Sequence, residues 1–237
     1  MKTLQVFPTW QSVVPGELHN KIAVVIDVLR ATNTIITSLK NGAREIIPVS
    51  EIETAWELKN NNPSYLLGGE RNSQKISGFD LGNSPLEYTR QIVNEKTIIL
   101  ATSNGSKALK TAEPAKDIFI ASLANSKAVA HLLATTGLDI TIICAGTLGS
   151  PSLEDTLAAG SIISEMKTFE QYQLNDYAYI ALGSFTSYKW DIFNVILQSR
   201  NGRRLEELGM VSDIKPCSLL NNTDLVPLYK HSKITAN

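Results

Sequence analysis

The sequence predicts an α/β fold: a mostly parallel sheet in three α/β/α layers, forming one compact domain over 1–237. Three observations lead to it. Short apolar runs rich in β-branched residues alternate with amphipathic segments. Those runs end in polar or glycine-containing stretches, as strands do where the loops beyond their carboxyl ends carry a site. The alternation also occurs twice with similar spacings, over 21–70 and 96–147, which reads as a weak internal duplication of a β-α-β-α-β unit.

Along the chain, KIAVVIDV is an apolar run closed by an acid, the mark of a strand buried on both faces. A helix follows over 32–40, then a strand in AREIIPV. EIETAWELKN reads as helix, with Ile52, Ala55 and Trp56 at i, i+3 and i+4 predicting a buried face, and YLLGG ends the first run as a strand. The second run repeats the order: KTIILAT, a helix over SKALKTA, KDIFIAS, a helix over NSKAVAHLLATT with Val129, Leu132 and Leu133 as its stripe, and LDITIICAG. Beyond it come a helix over 153–166, a strand in YAYIAL, helices over 190–198 and 203–208, and an irregular tail from Lys215. No Pro-, Gly- or Ser-rich linker divides these parts.

Composition narrows the function classes. Lys and Arg number 22 against 23 Asp and Glu, so no global field recruits nucleic acid or an anionic membrane, and any anion site must be local. Cys144 and Cys217 lack CxxC spacing, which argues against a disulfide framework or zinc knuckle and fits a reducing cytoplasm. MKTLQVFPTW has no apolar signal core, and the longest apolar runs are strand-sized; a soluble cytoplasmic protein is expected, with homo-oligomerisation left open.

The familiar phosphate and zinc signatures GxxxxGK[ST], GxGxxG and HExxH are absent. The predicted strand ends nevertheless carry suitable chemistry. DVLRAT offers a carboxylate at Asp27, a guanidinium fork at Arg30 and hydroxyls at a helix start, where free N–H groups favour an anion. TSNGS at 102–106 repeats that arrangement without charge, and GGER at 68–71 adds an acid and an arginine. Each fragment taken alone is equally a turn or a cap. His19, His131 and His231 show no ligand spacing and read as structural. In CAGTLGSPSLEDTLAAG, Ser152 and Asp155 have the spacing of a capping box. Glu154 and Asp155 diverge by about 100° on a helix, so one is expected to bind a cation while the other caps.

Together DVLRAT, LLGGER, GFDLGNSPLEY, TSNGS, CAGT with SLEDTLAAG, and GRRLEELG with DLVP resemble the ComB family of 2-phosphosulfolactate phosphatases, from Asp27 to Pro227. Departures are mild: Asn33 replaces a small hydroxyl residue, and Ser103 and Ser106 stand for threonines. The resemblance implies Mg²⁺-dependent hydrolysis of 2-phospho-3-sulfolactate, a short anionic phosphoester, to sulfolactate and phosphate, a step towards coenzyme M. On this reading Mg²⁺ sits on Asp27, Glu70 and Glu154 or Asp155. Arg30 and Arg71 neutralise the phosphate. Thr102, Asn104, Gly105, Asn125 and Gly146 supply neutral contacts, and Arg203 and Arg204 hold the sulfonate. Asp27 is a metal ligand, a nucleophile or a base; Leu29 stands where a DxDxT phosphatase has its second acid, which removes one argument for an aspartyl phosphate. Two rivals are an isochorismatase-like cysteine hydrolase using Asp27, Lys107 and Cys144, and a non-catalytic module binding an acidic metabolite.

Overall fold

The computed structural model describes residues 1–14, 16–166 and 171–236. In chain order the elements are β1 (Lys2–Phe7), β2 (Ile22–Ile26), α1 (Ala31–Lys40), β3 (Glu45–Val49), α2 (Ile52–Asn61), β4 (Leu66–Arg71), β5 (Gln74–Lys75), α3 (Arg90–Val93) and β6 (Thr97–Ala101). Then come α4 (Gly105–Ala112), β7 (Asp117–Ala121), α5 (Ser126–Thr136), β8 (Ile140–Cys144), α6 (Leu153–Glu165), β9 (Tyr172–Leu174), α7 (Asp176–Tyr188), α8 (Ile192–Leu197), α9 (Arg200–Glu207), α10 (Val211–Cys217), β10 (Leu228–Lys230) and β11 (Lys233–Thr235).

The sheet order is β5-β4-β6-β3-β11-β10-β7-β2-β8-β1-β9. Two parallel groups, β4-β6-β3 and β7-β2-β8, are thus joined by a hairpin from the end of the chain. Because β10 is antiparallel to β7 and to β11, and β11 is antiparallel to β3, the two groups run in opposite directions. The first strand of each β-α-β-α-β run sits between the later strands of the other run: β2 pairs with β7 and β8, and β6 pairs with β3 and β4. Consecutive strands of a run are therefore not neighbours at its start, something no local pattern encodes.

Burial follows the alternation of side chains along each strand. Ala23 and Val25 of β2 and Ile98 and Leu100 of β6 face one core with Ile35 and Leu39 of α1 and Ala108 and Leu109 of α4. On the opposite side of the sheet, Ile22, Val24 and Ile26 pack with Val129 and Leu133 of α5 and Leu157 and Ile162 of α6. Ile99 and Ala101 meet Ala55 of α2. The result is the predicted three-layer α/β/α arrangement.

Four local expectations are corrected. YAYIAL lies in α7, not in a strand: Asn175 caps that helix by accepting from the Ala178 N–H, and Ala178, Ala181 and Phe185 bury one face at helical spacing. The helix lies close against α6, where a Cβ on Gly160 would stand 2.0 Å from the Ala181 carbonyl oxygen. The six-residue alternation was too short to separate the two periods. The tail from Lys215 is not wholly irregular, since it holds the end of α10 and the β10–β11 hairpin. Trp56 is more than one-third exposed, edge-on to Phe79. Finally, Lys2–Phe7 forms a strand, which the prediction omitted.

Candidate active site

The N-termini of α1 and α4 meet where the two parallel groups come together. Gly105 opens α4, and a Cβ there would stand 2.8 Å from Ala31 Cβ and 2.9 Å from Asp27 Oδ2, so only glycine admits this approach. Around the meeting point lies a cavity of about 600 Å³. Its wall takes Asp27 and Arg30 from the end of β2, Glu70 and the Asn72–Ser73 turn from the β4–β5 hairpin, and Asn83 from the loop before α3. Ser103 and Asn104 follow β6, Gly146 to Leu148 follow β8, and Arg200, Asn201, Arg204 and Leu205 come from α9.

Four acids converge here in different states. Asp27 is buried; desolvation, then the charges of Glu70 and Glu154, push its pKa up to about 7. Its Oδ1 accepts the Ala31 N–H at 3.3 Å. Glu70 is fully engaged, with Oε1 accepting from the Ser103 N–H at 2.8 Å and Oε2 from the Ser73 N–H at 2.9 Å. Asp155 ties two strand ends together by accepting the Val28 N–H at 2.8 Å and the Gly146 N–H at 3.0 Å. Burial foremost, then Asp27 and Glu154, raises its pKa well above the ordinary value. Glu154 accepts Asn201 Nδ2 at 2.5 Å through Oε1, while its buried Oε2 has no partner among the described residues. Its pKa is also raised, chiefly by burial. The expected capping box does not form: Ser152 makes no side-chain cap bond, and Asp155 spends both oxygens across the fold instead.

The cations divide into held and open. Arg30 is buried, its guanidinium fixed by Asp213 Oδ2 at 2.6 Å and the Ser73 carbonyl at 2.6 Å. Asp213 in turn accepts the Ser84 hydroxyl at 2.7 Å. Arg200 and Arg204 stand one helical turn apart on α9 and line the cavity, Arg204 also pairing with Glu207 Oε2 at 3.3 Å on the exposed side of the helix.

Of the residues singled out in the sequence, Asp27, Arg30, Glu70, Asn104, Gly146 and Arg204 line the cavity. Thr102, Gly105, Glu154 and Asp155 lie behind its wall; the Thr102 hydroxyl accepts the Ser106 N–H and anchors α4. Three others are placed elsewhere. Arg71 donates to the carbonyls of Glu70 and Ser50. Asn125 bridges the Ser122 N–H and the carbonyls of Ile120 and Leu225, because the chain at 221–225 covers the end of β7. Arg203 turns back to the Gln198 carbonyl. The helix begins at Arg200, three residues before the predicted start, so Arg200 joins Arg204 on one face while Arg203 lies about 100° away from Arg204. Arg200, Asn201, Asn83 and Thr147 were missed; an i, i+4 reading of RNGRR would have found the first.

The cysteine hydrolase is overturned by position. Cys144 is a core residue whose thiol is raised well above its ordinary pKa by burial, then by Asp155 and Glu154. Lys107 is exposed, with its Nζ 5.9 Å from the centre of the Trp10 ring. Neither lines the cavity.

Comparison with known proteins agrees with these motifs. A family model described as 2-phosphosulpholactate phosphatase matches residues 9–232. A Caldanaerobacter subterraneus subsp. tengcongensis protein named probable 2-phosphosulfolactate phosphatase is 43% identical over 230 residues, covering 96% of this chain and 95% of the relative. Proteins of the same name from Clostridium tetani (42% over 222 residues; 92% and 93% covered) and Carboxydothermus hydrogenoformans (44% over 216 residues; 90% and 89% covered) are similar. A match across nearly the whole chain, both to the family model and to relatives more than 40% identical, places this protein in the 2-phosphosulpholactate phosphatase family.

Proposed function

We propose that the protein hydrolyses 2-phospho-3-sulfolactate to sulfolactate and phosphate with the help of Mg²⁺. The observation that carries this reading is the charge distribution of the cavity. Asp27 is buried beside Glu70 and Glu154, and desolvation first, then those charges, push its pKa up to about 7, while two arginines of α9 face the same space. A cavity for a neutral ligand has no use for this arrangement, and a simple anion binder would exclude the acids. Membership of a family named for this reaction supports the substrate.

The donor set suits a hard divalent cation. Asp27 supplies an oxygen at the cavity wall, and behind it the Oε2 of Glu154 is a buried acceptor without a partner among the described residues. Among the described residues no three His, Cys, Asp or Glu side chains are placed to hold a metal ion together, so the substrate and water would have to complete the shell. Bound there, Mg²⁺ would offset the acids and withdraw charge from a phosphate oxygen.

In the reaction a P–O bond forms to water, and the bond from phosphorus to the C2 oxygen breaks; one proton of the water passes to that oxygen. Asp27 serves as a ligand or accepts a proton near neutral pH. Arg200 and Arg204 bind the carboxylate and sulfonate, for which a planar fork is better suited than a point charge. Among the described residues no helix is long and apolar enough to cross a membrane. Both cysteines are unpaired, which supports a cytoplasmic setting.

The test is phosphate release from phosphosulfolactate, expected to vanish in EDTA and return with Mg²⁺. Asp27→Asn should lower kcat/KM by about 10²-fold or more. Full activity in EDTA would remove the metal from this reading, and no hydrolysis under any cation would remove the substrate.

A further inference from the structure

We infer that Asn83 is a substrate-binding residue, its side-chain amide set on the cavity wall to hydrogen-bond an anionic oxygen of the phosphoester. Asn83 lies in GFDLGNSPLEY, a motif to which neither the acids nor the arginines assign a role. It is only 4% exposed, yet it lines the cavity. Its Oδ1 is buried with no hydrogen-bond partner among the described residues.

The surrounding loop makes that vacancy informative. Gly69 donates its N–H to the carbonyls of Leu81 and Gly82, and Leu81 donates back to the Leu67 carbonyl. Tyr88 Oη donates to the Gly82 carbonyl at 2.6 Å, and the Gly82 N–H reaches Glu87 Oε2 at 2.8 Å. Thr34 Oγ1 donates to the carbonyl of Asn83 itself at 2.8 Å, and Ser84 is bonded to Asp213. The backbone is thus held on both sides of Asn83, while the Asn83 amide oxygen is left over.

A buried amide whose side chain has no hydrogen-bond partner in the protein costs stability of the order of a lost hydrogen bond, which points to a ligand for that amide beside the cavity. The two ends of an amide exchange by a half-turn about its last torsion, so Asn83 can present N–H groups to an anionic oxygen or its carbonyl to a hydroxyl or a water. Held on a rigid loop of the same cavity wall as the α9 arginines, it would fix the substrate's orientation without adding charge.

The inference rests on the phosphatase reading, and the experiment separates the two. Asn83→Leu removes the hydrogen-bonding atoms at similar size. In the ligand-free protein its melting temperature should equal or exceed that of the wild type, since among the described residues no side-chain hydrogen bond to the protein is lost. KM for phosphosulfolactate should rise about tenfold or more, as expected when a hydrogen bond to a charged group is removed. The thermal stabilisation by inorganic phosphate or by sulfolactate should fall for at least one probe, identifying the end of the substrate that Asn83 contacts. Wild-type KM together with wild-type stabilisation by both probes would overturn the inference. If Asn83→Leu fails to fold, that too counts against it, because the amide would then have a structural role; Asn83→Ala with unchanged KM would settle the point. Absence of turnover in the wild type would instead remove the phosphatase reading, while the two binding probes still decide the role of Asn83.

Discussion

At the scale of single residues, the site is governed by how much negative charge the fold concentrates without water. Asp27 is held near a pKa of 7 against an ordinary 3.8, by burial and then by Glu70 and Glu154. Between these values the folded protein keeps a proton that the unfolded chain has released, so stability falls as pH rises through that window. This is the reverse of a salt-bridged carboxylate. The chelated protein should therefore melt at a lower temperature at about pH 8 than at about pH 5.5, and saturating Mg²⁺ should flatten the slope by favouring the ionised acids. Scanning calorimetry with and without EDTA measures it. A metal-free melting temperature that rises with pH over this range would contradict the assigned crowding.

At the scale of elements, α9 decides which of its side chains face the cavity. Its N-terminal turn is pinned by the Ser199 hydroxyl, which accepts the Gly202 N–H, and by Asn201, which donates to Glu154 and to Thr147 Oγ1 at 2.7 Å. That orientation directs Arg200 and Arg204 inward and Arg203 outward. Arg200→Ala and Arg204→Ala should each reduce the preference for phosphosulfolactate over phospholactate, which lacks the sulfonate, by about 1–3 kcal/mol. Arg203→Ala should leave the ratio unchanged. Comparing kcat/KM for both substrates across the three variants checks this; an equal effect at Arg203 would mean that the helix contributes only general positive charge.

At the scale of the molecule, the hairpin of β10 and β11 closes the gap between two parallel groups that never pair directly. Tyr229 and Ile234 bury their side chains in the core shared by both groups. Ile234→Ala should cost about 2–5 kcal/mol in urea denaturation while kcat/KM stays within about twofold, because the residue is remote from the cavity wall. Deleting the chain from Val226 onward should abolish cooperative unfolding, since it leaves β3 and β7 as bare edges in the middle of the sheet. A cooperative transition in the truncated protein would show that either parallel group holds without the join.

The sequence by itself determined the layered α/β class, because KIAVVI, KTIILA and DITIIC are buried on both faces and leave no other period to read. It also marked Asp27, Glu70 and Asn104, since each follows or ends such a strand and loops there belong to ligands. Tertiary structure alone decided which strand ends meet. β2 and β6 exchange places between the runs, so that Asp27 touches Gly105 across a long stretch of sequence, and no local period records that exchange. It also decided that Asn125 is covered by the returning tail, that Asp155 binds Val28 and Gly146 rather than its own helix, and that Arg200 rather than Arg203 faces the cavity. In each case residue type was legible, but the partner was not: a carboxylate or guanidinium takes its role from the groups that reach it, and those arrive from distant parts of the chain.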